Sequence, residues 1–434
     1  MHQETGQVRK EAAITGVLNA CGVAELRKLQ GQPLSGLQLI CRRACQLFLI
    51  GEMMQKPDEE PLDNSMSYKD AGVDVELGDT CSEIMFNASR ETWKNREGSF
   101  GEILGSDNFS GIRYVKFEAL KQGLIFGSNS DGVGSKVEIA QRLEKHDTIA
   151  FDLVAMLVDD AARDGAEPVF MSNVLDVNSL KNNVDYVRQL AKGLISAARE
   201  ANIGVINGEI AELGELVSGY GSFCYNWSGT LSWIAQKDQI VDGKDILPGQ
   251  KIVALREDGF RSNGFSLVRK IMEDNFGYEW HEKQPNLALQ ILEPSKIYSG
   301  LIFEFVRLNE LYGRPVVSGI AHITGGGIPE KLSRLLRRKG LGAVLDDLFE
   351  PCYAIKRLQE LGKVSDEEAY KTWNMGQGML VITENPDLLL DVSEKYNTGP
   401  NHKFDVKVVG RVKETPAIEI KSKGIFKKEK VLRF

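Results

Sequence analysis

From residue 67 onward, short apolar runs alternate with segments in which apolar residues recur every three or four positions. The first pattern is typical of buried strands, and the second of helices with one buried face. Strands are predicted at residues 124–127, 168–176, 203–206, 225–234, 251–256, 316–323, 379–383 and 404–409. Helices are predicted at residues 136–143, 147–164, 184–201, 265–275, 295–311 and 329–337. This alternation predicts an α/β (α+β) fold.

The chain length of 434 residues exceeds one ordinary hydrophobic core, so we expect more than one domain. The acidic, proline-containing segment Lys56-Pro57-Asp58-Glu59-Glu60-Pro61 has the composition of a linker. We predict an N-terminal extension at residues 1–65, either an accessory helix around residues 36–54 or a disordered segment without a role. Two domains follow at residues 66–243 and 244–420, and then a basic, solvated and frayed tail at residues 421–434.

Composition excludes several classes of protein. The chain is 42% hydrophobic and 26% charged, and its net charge of -8 argues against general nucleic-acid binding, which needs a basic face. No stretch reaches the roughly 18–20 apolar residues of a membrane span. The six cysteines include no C-x-x-C pair, and the spacing of Cys41 and Cys45 alone is a weak metal signal. We therefore expect a reduced, cytoplasmic protein.

The segment after the strand at 124–127 combines glycines with charge. Asp131, Gly132, Gly134, Ser135 and Lys136 occur as Ser-Asp-Gly-Val-Gly-Ser-Lys between a predicted strand and a predicted helix. Glycines allow backbone N–H groups to approach phosphate, and a lysine adds positive charge. The spacing is not that of the Walker motif. A glycine turn alone would not need both charges, so the segment favours a phosphate and metal site.

Carboxylates in and after the next helix suggest a metal ion. Asp152 directly precedes a run too apolar for an exposed face, and Asp160 lies in the C-terminal half of the helix, where the helix dipole disfavours negative charge. A bound cation would offset both costs. Asp159 shares a face with Asp152. Glu209 follows a buried strand, and ligands of α/β sheets collect at the ends of such strands.

His146 has two interpretations that the sequence leaves open. It precedes Asp147 and Thr148, so it belongs either to the cap region of the helix or to an acid–base or phosphate-binding site near the carboxylates.

Two further loop-to-helix junctions predict anion binding. Thr324, Gly325, Gly326 and Gly327 follow His322 at the end of a strand, and Pro329 enters the next helix. Glycines before a helix N-terminus are typical of a phosphate site. Ser262 and Asn263 precede another helix, as polar ligand contacts or as N-caps. Anion sites on two α/β units indicate two phosphorylated ligands, one of them a nucleotide.

These motifs occur in the order found in one known family. They are Ser67-Tyr68-Lys69-Asp70-Ala71-Gly72-Val73-Asp74, Asp131-Gly132-Val133-Gly134-Ser135-Lys136, His146-Asp147-Thr148-Ile149 with Asp152-Leu153-Val154-Ala155-Met156, Gly165-Ala166-Glu167-Pro168, Ser262-Asn263-Gly264-Phe265-Ser266-Leu267-Val268-Arg269-Lys270 and His322-Ile323-Thr324-Gly325-Gly326-Gly327. Over residues 66–412 the chain resembles the phosphoribosylformylglycinamidine cyclo-ligase (aminoimidazole ribonucleotide synthetase) family. Six ordered motifs are far more specific than any single one.

The resemblance implies a fold, a reaction and a set of ligands. Two α/β domains are expected, with an N-terminal mixed sheet that forms a barrel with that of a dimer mate and a C-terminal sheet flanked by helices. The implied reaction is the ATP-dependent closure of formylglycinamidine ribonucleotide to aminoimidazole ribonucleotide in purine biosynthesis, through an iminophosphate. ATP and Mg²⁺ are the implied cofactors, a ribose-phosphate compound is the substrate, and a homodimer is the expected assembly.

The resemblance also implies roles for individual residues. Asp131, Asp160 and Glu209 would hold Mg²⁺, and residues 131–136, Lys136 above all, would contact ATP. Ser262, Asn263 and residues 324–327 would grip the substrate phosphate. His146, Asp152 and Arg261 would lie near the reacting groups.

The chain departs from the family pattern at three places. Arg261 stands where the family has histidine, and residues 210–215 lack the usual threonine and Met-Pro. The early glycine-rich segment is reduced to Gly98-Ser99-Phe100-Gly101. Arginine clamps phosphate well but does not shuttle protons at neutral pH. Two alternatives therefore stay open: an ATP-dependent kinase or ligase of the same superfold acting on another amide, amidine or carboxylate, and a non-catalytic nucleotide-binding protein.

Overall fold

The computed structural model describes residues 75–105, 113–117, 123–399 and 403–434. The N-terminal extension, Cys41, Cys45 and the motif at residues 67–74 lie outside the described residues, so the predictions for them stay predictions.

The first domain is built on a mixed sheet. Its described strands are β3 (Leu124–Gly132), β4 (Glu167–Val177), β5 (Gly204–Glu212) and β6 (Tyr225–Gln236), in the order β3-β6-β4-β5. Only β4 and β5 are parallel. Before them, β1 (Glu102–Gly105) and β2 (Arg113–Lys116) form an antiparallel ribbon.

The helices of the first domain cover one face of that sheet and one of its edges. They are α1 (Val75–Trp93), α2 (Val137–Leu143), α3 (Ile149–Ala162) and α4 (Val184–Glu200). Helix α1 packs against β5 and α4. Helix α3 is apolar on nearly every side, which suits a helix that contacts the sheet, α4 and the second domain at once.

The second domain contains a larger sheet. Within the described residues, its strand order is β13-β12-β9-β11-β7-β10-β8. The strands are β7 (Lys251–Arg256), β8 (Val317–His322), β9 (Gly342–Leu345), β10 (Gln377–Thr383), β11 (Val406–Lys413), β12 (Ile418–Lys421) and β13 (Val431–Arg433). Every residue of β8 and β10 is buried, because helices flank the sheet.

The helices of the second domain begin directly after the Ser262-Asn263 loop. They are α5 (Phe265–Phe276), α6 (Trp280–Lys283), α7 (Pro285–Ile291), α8 (Ser299–Tyr312), α9 (Gly327–Leu336), α10 (Tyr353–Leu361), α11 (Asp366–Thr372) and α12 (Pro386–Asn397). Short 3₁₀ turns occur at Lys94–Arg96, Gly134–Lys136, Gly214–Leu216, Lys237–Gln239 and Arg337–Lys339. Helix α8 packs against α3 of the first domain. The α/β class is thus confirmed, whereas the barrel with a dimer mate stays a prediction.

Two local predictions were wrong. The strands predicted at 124–127 and 203–206 continue to Gly132 and Glu212, because the polar residues at their ends still pair with neighbouring strands. The segment 421–434 is not a frayed tail. Its end, β13, pairs with β12, and Leu432 and Ile420 are buried. Two apolar side chains on one face anchor this basic hairpin.

Candidate active site

Three predicted loops meet at one place between the two domains. A Cβ atom placed on Gly134 would lie 3.9 Å from the carbonyl oxygen of Ser262. A Cβ atom on Gly325 would lie 3.5 Å from Nδ2 of Asn263. The loop after β3, the loop before α5 and the loop before α9 therefore border a common cleft, which the sequence could only suggest.

The loop before α9 requires glycine for its conformation. Gly326 and Gly327 have φ values of 88° and 60°, and a side chain on Gly327 would collide with the carbonyl oxygen of Tyr370. The N–H of Gly327 donates to the carbonyl of Thr324 at 2.9 Å. The turn thus brings the N-terminus of a ten-residue helix close to the cleft, a geometry that favours anions.

Polar atoms in this region lack partners. Oγ of Ser262 and Oδ1 of Asn263 are buried, and neither forms a hydrogen bond with any of the described residues. A buried polar atom without a partner costs about 1–3 kcal/mol. Two such atoms beside a glycine loop are consistent with a site that a polar ligand completes.

Two of the predicted metal ligands lie near each other. The carboxylate of Asp131 accepts a 2.7 Å hydrogen bond from the N–H of Gly132, and burial together with the charge of Asp160 raises the pKa of Asp131. Burial acts to raise the pKa of Asp160 as well, but hydrogen bonding from His322 and the charge of Arg163 hold it below its usual value. Lys331 interacts electrostatically with both carboxylates.

The Asp131–Asp160 pair fits a magnesium ion. Mg²⁺ is usually held by one or two carboxylates, with substrate phosphates and water in its other positions. Oδ1 of Asp131 and Oδ1 of Asp160 accept hydrogen bonds, and the second oxygen of each carboxylate accepts none from the described residues. Each residue therefore keeps an oxygen available for a cation.

Glu209 lies elsewhere. Across the sheet, Asp131 of β3 lies opposite Gly229 of β6, and Gly229 lies opposite Asn173 of β4. Glu209 of β5 lies opposite Val174, the residue after Asn173 on β4. Side chains of successive positions point to opposite faces, and two strands lie between Asp131 and Glu209, about 14 Å of sheet. Within one chain the structure does not bring Glu209 to the other two carboxylates.

Arg261 is held in a buried ion-pair network. Its guanidinium donates to Asp159 at 2.8 Å, to Glu257 at 2.9 Å and to the carbonyl of Lys296 at 3.0 Å. Burial raises the pKa of Asp159 to about 7, while Arg261 limits the rise. Arg261 itself has a φ of 58°, in the left-handed region. It is 1% exposed, so its donors serve protein groups rather than the open cleft.

His322 connects this network to Asp160. Nη2 of Arg261 lies 2.8 Å from Nε2 of His322, and Nδ1 of His322 lies 2.7 Å from Oδ1 of Asp160. Arginine offers only donors, so Nε2 accepts and Nδ1 carries the proton that is donated to Asp160. Burial, with the charge of Arg261, lowers the pKa of His322 to about 4. A neutral His322 thereby orients the Asp160 carboxylate.

Lys136 and Asp152 form a second buried pair. Nζ of Lys136 donates to Oδ1 of Asp152 at 2.7 Å and to the carbonyl of Glu293 at 2.6 Å. Ser295 donates to the same Asp152 oxygen from its hydroxyl at 2.6 Å and from its N–H at 3.2 Å. Both charged side chains are 0% exposed. The ammonium of Lys136 is therefore enclosed by protein and does not face an open cavity.

His146 lies in an aromatic pocket beyond the N-terminal end of α3. Its ring contacts those of Tyr186, Phe223 and Tyr225, and Nδ1 shares a 3.0 Å hydrogen bond with the Tyr225 hydroxyl. Burial lowers the pKa of His146 to about 4. His146 is therefore a neutral, packed ring, and it lies at the opposite end of α3 from Asp160.

Sequence reasoning did not assign roles to two residues of the site. His322 ends β8, directly before the glycine loop, and this position could have indicated that it belongs to the site. Lys331 follows Gly327 by four residues, so it lies one helical turn from the loop on the same side. A lysine on an otherwise amphipathic helix gives no signal by itself, because such residues are usually solvated.

Comparisons with known proteins agree with this architecture. Residues 119–226 match the N-terminal domain, and residues 248–423 the C-terminal domain, of AIR synthase related protein. The chain is 15% identical to thiamine-monophosphate kinase from Stenotrophomonas maltophilia, with a TM-score of 0.51 over 79% of this chain and 97% of that chain. At that identity the likeness shows the fold alone. The class is thus a two-domain AIR synthase related protein.

Curated relatives define the family more narrowly. The chain is 34% identical over 352 residues to the phosphoribosylformylglycinamidine cyclo-ligase of Methanocaldococcus jannaschii, which covers 80% of this chain and 92% of the relative. It is 32% identical over 357 residues to the enzyme of that name from Bacillus pumilus, covering 81% and 96%. The chain belongs to the phosphoribosylformylglycinamidine cyclo-ligase family.

In the described part of the chain, every helix is too short or too polar to cross a membrane.

Proposed function

We propose that this protein catalyses the ATP-dependent closure of formylglycinamidine ribonucleotide to aminoimidazole ribonucleotide, with release of ADP and phosphate. The observation that carries the proposal is the meeting of three glycine-containing loops and the Asp131–Asp160 pair at one cleft. Family membership supports the reaction, and the cleft would hold the two phosphorylated ligands.

The chemistry explains what such a cleft must do. The amide oxygen of the substrate is a poor leaving group, and its phosphorylation gives an iminophosphate. Attack by the amidine nitrogen then forms the ring C–N bond and expels phosphate. The protein contributes mainly positioning and charge neutralisation, as in other phosphoryl transfers.

Individual residues have separate tasks in this proposal. Asp131 and Asp160 would hold Mg²⁺, which when bound neutralises phosphate charge. Ser262, Asn263 and the backbone N–H groups of residues 324–326 would bind the ligand phosphate. The hydroxyl of Ser262 would donate to that phosphate, whereas Oδ1 of Asn263 is an acceptor and would pair with a hydroxyl group of the ligand's ribose. Backbone N–H groups of Gly134 and Ser135 would face ATP, whereas the N–H of Gly132 holds the Asp131 carboxylate.

Four predicted site residues receive positioning tasks instead: Lys136, Asp152, Arg261 and His146. Lys136 and Asp152 bind the segment 293–295. Arg261 and its ion-pair partner Asp159 bind the segment 296–298. These pairs fix the second domain against α3. His146 holds Tyr225 in place. Each task follows from burial, which keeps these four side chains from touching substrate in this conformation.

The assembly and location belong to the proposal as well. One face of the first sheet carries Phe126, 61% exposed, and Val174, 41% exposed, with Glu209 on the same side. Two large, exposed apolar side chains on an otherwise polar sheet face support a homodimer whose sheets pair there. Light scattering of the purified protein measures its mass. The cytoplasm stays the expected location.

The test combines an assay with one variant. Purified protein, Mg²⁺-ATP and formylglycinamidine ribonucleotide should yield ADP and the imidazole product, each detected by chromatography. The conservative change Asp131→Asn should lower turnover roughly a hundredfold or more, because it removes a metal ligand, and should leave the unfolding curve unchanged.

The outcomes separate the alternatives. ATP binding without turnover of this substrate favours a kinase or ligase with another acceptor. No ATP-dependent chemistry on any amide substrate favours a non-catalytic nucleotide-binding protein. Wild-type turnover in the Asp131→Asn variant would show that Asp131 holds no essential metal.

A further inference from the structure

A cavity of about 330 Å³ adjoins His322, outside the three loops described above. It lies between the C-terminal end of α3, residues 240–242, β8 and α9. Ile320 and Leu335 contribute an apolar part of its wall. Its charged lining residues are Arg163, Asp164, Asp242, Lys331, Arg334 and Arg338.

Three of the cationic side chains belong to one face of α9 and the turn that follows it. Lys331, Arg334 and Arg338 are spaced at i, i+3 and i+7, positions that lie above one another on a helix. Lys331 is half-buried at the end of the row nearest Asp160, whereas Arg334 and Arg338 are exposed. The row therefore leads from the Asp131–Asp160 pair towards solvent.

The charges of this cavity are only partly compensated. Arg163 pairs with Asp160 at 2.9 Å and with Asp164 at 3.6 Å, and Arg334 pairs with Glu330 at 2.8 Å. Asp242 accepts a hydrogen bond from the N–H of Lys244. Lys331 and Arg338 form no hydrogen bond or ion pair with any of the described residues.

Lys331 is the unusual member of this set. Lysine ammonium groups without a partner are normally fully solvated, because desolvation of a charge is costly. Burial lowers the pKa of Lys331, although Asp160 acts in the opposite direction. A half-buried ammonium group with free donors at the inner end of a cationic row is suited to an anionic ligand.

We propose that this cavity binds a phosphate dianion, with Lys331 and Arg338 as direct donors. Of the four cationic side chains in the lining, Arg163 and Arg334 are paired with carboxylates, whereas Lys331 and Arg338 keep their positive charges unpaired among the described residues. A phosphate group carries about −1.5 to −2 charges at pH 7. Arginine and lysine are the usual phosphate donors, arginine through its planar fork and lysine as a point charge.

The phosphate has two conceivable sources that share this chemistry. One is free inorganic phosphate, which the proposed reaction releases beside the inner end of the row. The other is the phosphate monoester of a larger ligand, whose uncharged part would contact Ile320 and Leu335. The site goes beyond the proposed function, and its binding step needs neither ATP nor the proposed substrate.

Calorimetric titration of the full-length protein with sodium phosphate, at constant ionic strength set by chloride, tests the site. Saturable binding is expected, and Lys331→Gln should weaken it roughly tenfold, the effect of one charge-assisted hydrogen bond. Arg338→Gln should weaken it less, because Arg338 is more exposed. The control Arg337→Gln changes an exposed arginine of the same turn that does not line the cavity, and it should bind phosphate like the wild type.

A variant that should tighten phosphate binding distinguishes the loss of a phosphate donor from misfolding. Asp164→Asn removes a carboxylate from the lining and should tighten phosphate binding severalfold, which a damaged fold does not do. The proposal is overturned if the wild type shows no saturable phosphate binding, or if Lys331→Gln and Arg338→Gln both bind phosphate as tightly as the wild type.

The same titration with ribose 5-phosphate distinguishes the two sources. Tighter binding than inorganic phosphate, lost in Lys331→Gln, assigns the cavity to a phosphate monoester. Binding of inorganic phosphate alone assigns it to free phosphate. Only binding that Lys331→Gln weakens is assigned to this cavity, and these titrations contain no nucleotide, so their result is separate from that of the cyclisation assay.

Discussion

Helix α3 carries aspartates at both ends, and their surroundings differ sharply. Near the N-terminal end, Asp152 is enclosed by Lys136 and Ser295. At the C-terminal end, Asp160 keeps about a quarter of its side chain exposed beside Asp131. Asp159, one residue earlier and rotated by about 100°, is fully enclosed. The direction in which a carboxylate points, rather than its residue type, decides whether protein groups enclose it or leave it partly open.

The largest expected effect on stability concerns the buried ion pair of Asp159 and Arg261 at the C-terminal end of α3. Arg261→Leu should lower the free energy of unfolding by about 3–5 kcal/mol, because Asp159 and Glu257 would stay buried without their cation. Urea unfolding measures this loss. The control Arg307→Ala breaks an exposed pair with Glu304 and should cost less than about 1 kcal/mol.

A double variant sharpens the interpretation. Asp159→Leu combined with Arg261→Leu should be less destabilised than the sum of the single variants, since fewer unpaired charges remain. Strict additivity would contradict a direct interaction between the two residues.

The second effect is on the pH dependence of the free energy of unfolding, through His146 near the N-terminal end of α3. The pKa of His146 is about 4 in the folded protein and near 6.5 when unfolded, so the unfolded state binds the proton more readily. The stabilising contribution of the neutral ring is therefore complete above pH 6.5 and is lost as pH falls towards 4. Between pH 7 and pH 5 it should decrease by about 2 kcal/mol.

Urea unfolding of the wild type and of His146→Gln at both pH values checks this sign. The variant lacks the titrating ring, so its loss of stability between pH 7 and pH 5 should be smaller by about 2 kcal/mol. Equal losses in the two proteins would contradict a neutral, buried His146.

The smallest effect concerns the segment that Asp152 holds. Ser295→Ala should cost about 1 kcal/mol of unfolding free energy, because the hydroxyl donates to Asp152 at 2.6 Å. Ser299→Ala is a matched control, since the Ser299 hydroxyl is buried and has no hydrogen-bond partner among the described residues. If both variants were equally stable, the contact between Ser295 and Asp152 would contribute nothing.

Much of the fold was accessible from the sequence because its signals are local. Periodicity located α3 and α4 to within a few residues, and β7 to the residue. The hairpin of residues 421–434 was missed, because its stability comes from pairing with a distant strand and from two buried side chains in a basic segment.

The environment of Arg261 could not be predicted for a related reason. Its partner Asp159 is 102 residues away, and Lys296 and His322 come from other elements. Sequence alone identified the departure from the family's histidine and suggested a change in substrate or acid–base chemistry. Packing places the guanidinium inside an ion-pair network instead, which supports a positioning task.

By itself, the sequence determined the α/β class, the family and the glycine loops, because periodicity, turn chemistry and ordered motifs are properties of neighbouring residues. Tertiary structure decided which charges face the cleft. It brought Asp131 to Asp160, enclosed Lys136, Asp152 and Arg261, and left Glu209 on the other face of the sheet. The physical reason is that the surroundings of a charge depend on residues far away along the chain, and those surroundings decide what the charge can bind.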